Sequence, residues 1–164
     1  MTLSAFSAWV FLPFVAPLCL YVVYTDLSQM RITNVTVVTL AMVFFVVGLF
    51  VLPFDDYAWR LLHLPVILLI GFVLNAAGVM GAGDAKFLAA AAPFLSLSDW
   101  PTITLIFTTI LIAAVCAHRL AKVTKLRSLV PHWTSWDQGK KFPMGFALGP
   151  SLVVYLLLCA LYGA

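Results

Sequence analysis

This sequence contains few charged residues. Only 9% of its 164 residues are charged, whereas 64% are hydrophobic, and an average soluble domain carries about 25% charged residues. So few polar side chains could not cover a compact soluble fold of this size. The chain also has no glutamate, so its six acidic residues are all aspartate. The shortage of charged residues excludes an ordinary soluble domain and indicates that lipid is the solvent for much of the chain.

Patterns typical of metal or redox sites are missing as well. The three cysteines lie far apart in apolar runs without a C-x-x-C pair, and the three histidines show no ligand spacing. These residues are Cys19, Cys116, Cys159, His63, His118 and His132. We expect the cysteines to be small packing residues, and we expect no metal and no cofactor. The net charge of +3 is small and spread over short loops, which argues against a nucleic-acid partner.

What the sequence does contain is a series of apolar stretches. One helical crossing of a bilayer takes about 20 apolar residues, and six stretches approach or reach that length. They run over 5–25, 35–53, 61–78, 85–97, 102–117 and 142–162. No basic region precedes the first stretch, so we interpret it as a retained helix and not as a signal peptide. The pattern predicts an all-α polytopic membrane protein with about six transmembrane helices, forming a single domain over 1–164.

One longer polar segment, 118–141, separates the fifth and sixth apolar stretches. Its basic residues are interleaved with apolar ones, a spacing that favours a basic amphipathic helix lying on the membrane surface.

Basic residues also predict how the chain is oriented, because Lys and Arg stay preferentially on the cytoplasmic side of a membrane. Placing the loop after the first helix in the cytoplasm leaves only Arg60 outside. The cytoplasmic side then holds eight basic residues, which are Arg31, Lys86, Arg119, Lys122, Lys125, Arg127, Lys140 and Lys141. In this orientation both termini lie outside. The outer loops carry Asp55, Asp56 and Asp99, which we interpret as solvated loop acids.

Two aspartates remain beside hydrophobic helices on the cytoplasmic side. Asp26 ends the first apolar stretch and Asp84 begins the fourth, so the predicted topology places both at one membrane depth. An ionisable residue in a transmembrane segment is costly and indicates a functional site. Structural roles stay open at this point, because Asp84 can cap the fourth helix and Asp26 can face Arg31 in the headgroup region.

Paired carboxyls suit hydrolysis of a peptide bond. Two carboxyls at close range resist double ionisation and share one proton. The ionised member can take a proton from water, which then attacks the scissile carbonyl, while the protonated member donates to the carbonyl oxygen. Which aspartate takes which role stays open, because the titration belongs to the pair. Glycines cluster just before Asp84, where they permit a close approach of backbone to backbone.

Three motifs resemble one known family. The sequence G-A-G-D-A-K at 81–86 resembles the G-x-G-D-x-K motif of type IV prepilin peptidases. The sequence D-L-S-Q-M-R-I-T-N at 26–34 resembles the family's first motif, an aspartate followed by residues like R-x-I-P-N. The sequence F-P-M-G-F-A-L at 142–148 resembles the family's C-terminal P-x-G-x-x-L segment. The motifs stand in the family's order and span nearly the whole chain.

The resemblance implies an aspartic endopeptidase of the cell inner membrane, with Asp26 and Asp84 as its catalytic pair facing the cytoplasm. It implies supporting roles for the other matched positions, which are Gly81, Gly83, Lys86, Arg31, Asn34, Pro143 and Gly145. The implied partner is a prepilin or pseudopilin, whose short basic leader is removed just before its hydrophobic segment, commonly after glycine.

The chain also departs from the family pattern. Thr33 stands where the first motif usually has proline, and Met30 occupies a neighbouring position that is usually basic. The larger members carry an N-terminal region with two C-x-x-C pairs and methylate the new N-terminus; this sequence lacks that methyltransferase and zinc region. It is therefore similar to the short, peptidase-only enzymes of Flp/Tad pilus systems, and short archaeal preflagellin peptidases share the architecture.

Other functions fit parts of the same pattern. A polytopic ion transporter or proton channel could relay protons through the aspartates, although both lie at one interface. A non-catalytic assembly subunit of a pilus or secretion system needs no dyad. A protease of the signal-peptide-peptidase type shares the G-x-G-D motif but is usually longer. The oligomeric state is not decided by the sequence.

Overall fold

In a computed structural model, the described parts of the chain are residues 1–139 and 141–163. Lys140, which contributes to the charge argument above, lies outside them. The described residues contain six α-helices and no strand. The helices are α1 (Ala5–Gln29), α2 (Asn34–Val51), α3 (Phe54–Ala76), α4 (Ala82–Ala91), α5 (Trp100–Val123) and α6 (Gly145–Tyr162). The all-α polytopic prediction is confirmed.

Five of these helices are long and apolar enough to cross a membrane, and α4 is the exception. Its ten residues rise only about 15 Å, about half of a bilayer's hydrocarbon thickness of about 30 Å. A 3₁₀ turn, Ala92–Phe94, continues it and contains Pro93. The stretch predicted at 85–97 is therefore a short internal helix, packed against α2 and α3 and buried along Ala89–Ala91.

Aromatic side chains fill the centre of the bundle. The ring of Phe11 stacks on Phe44 with centroids 5.9 Å apart, and Phe94 meets Phe11 edge-on at 5.0 Å and Phe44 at 5.2 Å. The ring of Tyr57 also stacks on Phe44, with centroids 5.7 Å apart. These four rings join α1, α2, α3 and the turn after α4, and aromatic pairs of this kind contribute about 0.5–1.5 kcal/mol beyond their buried area.

The basic segment between α5 and α6 is not one amphipathic α-helix, so that prediction is wrong. Helix α5 continues to Val123, and 3₁₀ turns at Lys125–Leu129 and Thr134–Trp136 follow. The Thr124 hydroxyl donates to the Ala121 carbonyl, and the Ser128 hydroxyl donates to the Lys125 carbonyl. Such local side-chain bonds compete with helix continuation, and Pro131 cannot donate a helical hydrogen bond.

Asp99 is not a solvated loop acid either, although Asp55 is exposed as expected. The Asp99 side chain is buried at the start of α5. Its carboxylate accepts hydrogen bonds from the Thr2 amide at 3.0 Å, the Thr2 hydroxyl at 3.1 Å and the Tyr155 hydroxyl at 2.9 Å. This acid therefore ties the N-terminus to α6 at the end of the bundle where α1 begins.

Replacing Asp99 is expected to weaken the fold. Asp99→Ala leaves the buried Tyr155 hydroxyl without its acceptor, and an unsatisfied buried polar group costs about 1–3 kcal/mol. For a chain of this size each kcal/mol lowers the thermal midpoint by about 2–4 °C. Thermal unfolding in detergent measures the change, and Asp55→Ala, at an exposed position, should shift the midpoint far less. Equal midpoints for the two variants would contradict a structural role for Asp99.

Candidate active site

Asp26 is buried in the last turn of α1, with 5% of its surface exposed. Its Oδ2 accepts a hydrogen bond of 2.6 Å from the backbone amide of Gly145, the first residue of α6. Helix α1 ends three residues later, because Met30 takes a left-handed conformation with φ of 53°. Arg31 lies beyond that turn and is exposed. Asp26 is thus bound to the N-terminus of α6, and the alternative in which it only faces Arg31 is wrong.

Glycine is required where α6 meets Asp26. A Cβ atom on Gly145 would lie 2.9 Å from Asp26 Oδ2, 3.0 Å from Asp26 Cβ and 3.0 Å from Val22 Cγ1. One turn further along α6, a Cβ on Gly149 would lie 2.9 Å from the carbonyl oxygen of Cys19. The two glycines let α1 and α6 approach so closely that the Gly145 amide reaches the Asp26 carboxylate.

Asp84 is half-buried in the first turn of α4. The N-cap residue of that helix is Gly81, and Asp84 occupies the third helical position, from which a carboxylate can accept a hydrogen bond from the N-cap amide. The Asp84 carboxyl folds back over Gly81, so closely that a Cβ atom on Gly81 would lie 2.7 Å from Asp84 Oδ2. A Cβ on Gly83 would lie 3.3 Å from Ile32 Cβ. Each motif glycine therefore permits a different close contact, one with Asp84 and one with the segment that follows α1.

Asp26 and Asp84 lie at the same end of the bundle, because α1 ends just after Asp26, α4 begins just before Asp84, and Gly83 packs against Ile32 in the segment that follows α1. A second contact links the same two motifs. The ammonium of Lys86 donates to Asn34 Oδ1 at 3.1 Å, which joins α4 to the first residue of α2. Thr33 caps α2, since its hydroxyl accepts from the Thr36 amide. Asn34 is therefore a contact between helices and not the cap.

Two carboxyls in partly water-excluded surroundings can divide acid and base roles between them, because double ionisation is unfavourable. Each belongs to a different helix and is oriented by a glycine backbone. Pro143, also predicted from the C-terminal motif, is buried two residues before α6 begins. Within the described ranges, no group of three or more His, Cys, Asp or Glu side chains could hold a metal ion.

Some neighbours of the site did not stand out in the sequence. Gly149 was overlooked, although Gly145 and Gly149 form a G-x-x-x-G pair, a known signal for close packing of membrane helices. His118 shows no ligand spacing in the sequence, yet it is buried and its ring stacks on Trp136 with centroids 5.0 Å apart. Trp136 in turn stacks on Trp133, whose ring meets Tyr24 of α1 edge-on. No sequence spacing indicates this aromatic contact.

The Lys86–Asn34 contact is exposed, so its expected energy is small. A double-mutant cycle with Asn34→Ala and Lys86→Met should give a coupling energy of roughly 0.5 kcal/mol in thermal or denaturant unfolding. Asn34→Asp, which converts the contact to an ion pair, should be neutral or slightly stabilising. A coupling energy above about 2 kcal/mol would contradict an exposed contact of this kind.

These features define a class of protein, a multi-pass helical membrane protein with two aspartates gathered at one end of its bundle. The chain belongs to the Type IV leader peptidase family, whose family model matches residues 13–118, about two thirds of the chain, including both aspartates. Searches of curated proteins and of solved structures gave no match. The match confirms the resemblance to this family and covers the motifs at 26–34 and 81–86. The protein is accordingly a peptidase, a hydrolase of the leader-peptidase kind with a protein as its substrate.

Proposed function

We propose that this peptidase removes the basic leader peptide from type IV prepilins or pseudopilins of the Flp/Tad kind. The observation that carries the proposal is the placement of Asp26 and Asp84 at the same end of the bundle, each against the backbone of a glycine. The family match supports leader cleavage in general. The three motifs in the sequence favour a prepilin or pseudopilin as the substrate.

In the proposed reaction, Asp26 and Asp84 share one proton and hold a water between them. The ionised carboxyl removes a proton from this water, whose oxygen bonds to the scissile carbonyl carbon. The protonated carboxyl donates its proton to the carbonyl oxygen. Collapse of the tetrahedral intermediate breaks the C–N bond: the carboxyl that took the proton from water gives it to the leaving amine, and the other carboxyl accepts a hydroxyl proton from the intermediate, which restores the shared proton. No covalent enzyme intermediate is required.

Membrane depth suits this substrate. The proposed orientation puts the aspartate end of the bundle at the cytoplasmic face of the inner membrane, with both termini outside, because this assignment places most basic residues inside. A prepilin keeps its basic leader in the cytoplasm and its hydrophobic segment in lipid. Its scissile bond then lies near the inner interface, at the level of Asp26 and Asp84. Lateral diffusion brings it to the site without moving its hydrophobic segment out of lipid.

Co-expression tests the proposal directly. The chain is produced with a prepilin-like protein encoded nearby, and the removal of the leader is followed as a shift in gel mobility and in mass. We expect cleavage just before the hydrophobic segment. A matched substrate in which the glycine before that bond is replaced by valine should stay uncut.

The same preparation tests the two alternative functions. A proton channel predicts a pH change across proteoliposomes that contain the purified chain, and an assembly subunit predicts neither flux nor cleavage. Proton flux without leader removal, or normal pilus assembly with an uncut substrate, would overturn the proposal.

A further inference from the structure

A second polar site lies at the opposite end of the bundle from Asp26 and Asp84, where α3 begins and the segment before α5 passes over it. A cavity of about 140 Å³ is present there. Its polar lining comes from one side of α3 and from the segment that follows α4, and consists of Asp56, Trp59, Arg60, His63, Ser96 and Ser98. Nothing in the proposed peptidase reaction uses these residues.

Arg60 is the main feature of this cavity. Its side chain is only 3% exposed, and its Nε donates to Asp56 Oδ2 at 2.8 Å. Its Nη1 is buried and has no hydrogen-bond partner among residues 1–139 and 141–163, and the same holds for His63 Nε2. Leaving a buried charged donor unpaired costs more than the roughly 1–3 kcal/mol of a neutral group. Buried polar groups are normally paired, so two unpaired nitrogens on residues that line one cavity indicate that a further polar group belongs there.

The chemistry of the lining favours a phosphate. A guanidinium is planar and its N–H groups match the spacing of phosphate oxygens. The imidazole and the serine hydroxyls supply further hydrogen-bonding groups. A cavity of about 140 Å³ corresponds to roughly four or five water volumes, which is room for a tetrahedral phosphate but not for attached chains. Asp56 already pairs with Arg60, so its carboxylate disfavours a ligand with more negative charge than one phosphate carries.

Neighbouring apolar surface indicates where the rest of the ligand lies. Trp59, beside Arg60, and Trp100, at the start of α5, are both largely exposed, as is typical of tryptophans at the headgroup level. From this level an exposed apolar stripe follows α3 toward its C-terminus, through Leu62, Val66 and Leu69. These residues recur at helical spacing and so share one face. An acyl chain attached to the phosphate can lie along them.

We propose that Arg60, with His63 and Ser98, binds the phosphate of a phospholipid headgroup in the leaflet opposite the two aspartates. The bound lipid supplies the missing acceptor for Arg60 and joins α3 to the segment before α5. It therefore stabilises the folded chain.

Thermal unfolding of the full chain, purified in detergent and stripped of lipid, tests the site with three probes. These are dihexanoyl phosphatidylethanolamine, dihexanoylglycerol without phosphate, and inorganic phosphate. We expect the phospholipid at saturation to raise the thermal midpoint by about 5 °C and the other two probes to have little effect at equal concentration. Equal shifts from phospholipid and dihexanoylglycerol would overturn the proposal, and so would no shift from any probe, which would leave water in the cavity. An equal shift from inorganic phosphate would support the phosphate site and overturn lipid as its source.

Substitutions in the cavity test which residues are responsible for the stabilisation by phospholipid. Asp56→Asn combined with Arg60→Gln removes both charges together, so no unpaired buried charge is left, and it should abolish the phospholipid shift while leader cleavage persists. His63→Leu is the milder variant in case the pair fails to fold. It should raise the lipid concentration for the half-maximal shift about tenfold, the equivalent of one hydrogen bond. A response equal to that of the unmodified chain in either variant would overturn the assignment.

Discussion

Asp26→Asn and Asp84→Asn are each expected to reduce leader cleavage by about 100- to 10,000-fold, the range for loss of a general acid or base. An amide can neither take the proton from water nor share one with the remaining carboxyl. The fold should survive both changes. In Asp26→Asn the side-chain amide oxygen can still accept the hydrogen bond from Gly145 that Asp26 accepts at 2.6 Å, and asparagine is nearly the same size as aspartate.

The measurement is the rate of leader removal by the purified variants in detergent or nanodiscs, at matched protein concentration and with the thermal midpoint recorded. Asp55→Asn is the matched control, because Asp55 is exposed in the first turn of α3 at the other end of the bundle. It should cleave at the rate of the unmodified chain. Normal cleavage by either dyad variant would show that its aspartate is not part of the reaction.

The position of Asp26 and Asp84 at one end of the bundle could be predicted, because acidic residues are rare in a membrane sequence. An acidic residue next to an apolar stretch is therefore easy to recognise. The alternation of cytoplasmic and outer loops then predicts which acidic residues lie on the same side of the membrane. The G-x-G-D motif also predicts that the glycines next to Asp84 belong to the site. The contact that each glycine makes could not be predicted from the sequence. Gly81 contacts Asp84 within the same helical turn, whereas Gly83 contacts Ile32, which lies on a different segment of the chain.

The errors have a common physical cause. Asp99 was expected in water because it stands in a short polar link, yet the Thr2 and Tyr155 donors that bury it come from the two ends of the chain. Likewise, hydropathy cannot tell a helix that faces lipid from one enclosed by other helices. The alanine-rich α4 is apolar enough for either, and only its packing against α2 and α3 shows that it is internal.

Gly145→Ala is expected to have the second large effect on activity. Helix propensity alone predicts a gain in stability of less than the roughly 1 kcal/mol by which alanine is favoured over glycine in a helix interior, since Gly145 is the first residue of α6. The local geometry predicts the opposite, because the new methyl group would lie 2.9 Å from Asp26 Oδ2 and 3.0 Å from Val22 Cγ1. Neither α1 nor α6 can easily yield, since Gly149 already packs against the Cys19 carbonyl. We therefore expect Asp26 to shift away from its position beside Gly145.

A displacement of about 1 Å in a catalytic group can cost about 100-fold in rate, and overpacking costs about 1–3 kcal/mol in stability. The control must lose similar stability without moving Asp26. Ala147→Gly is such a control. Ala147 lies in the same turn of α6 and is fully buried, and its replacement by glycine should cost about 1 kcal/mol in helix propensity. If cleavage falls about 100-fold in Gly145→Ala but less than severalfold in Ala147→Gly, the loss comes from the position of the Asp26 carboxyl. If both variants lose activity in proportion to stability, the Gly145–Asp26 contact supports the fold alone.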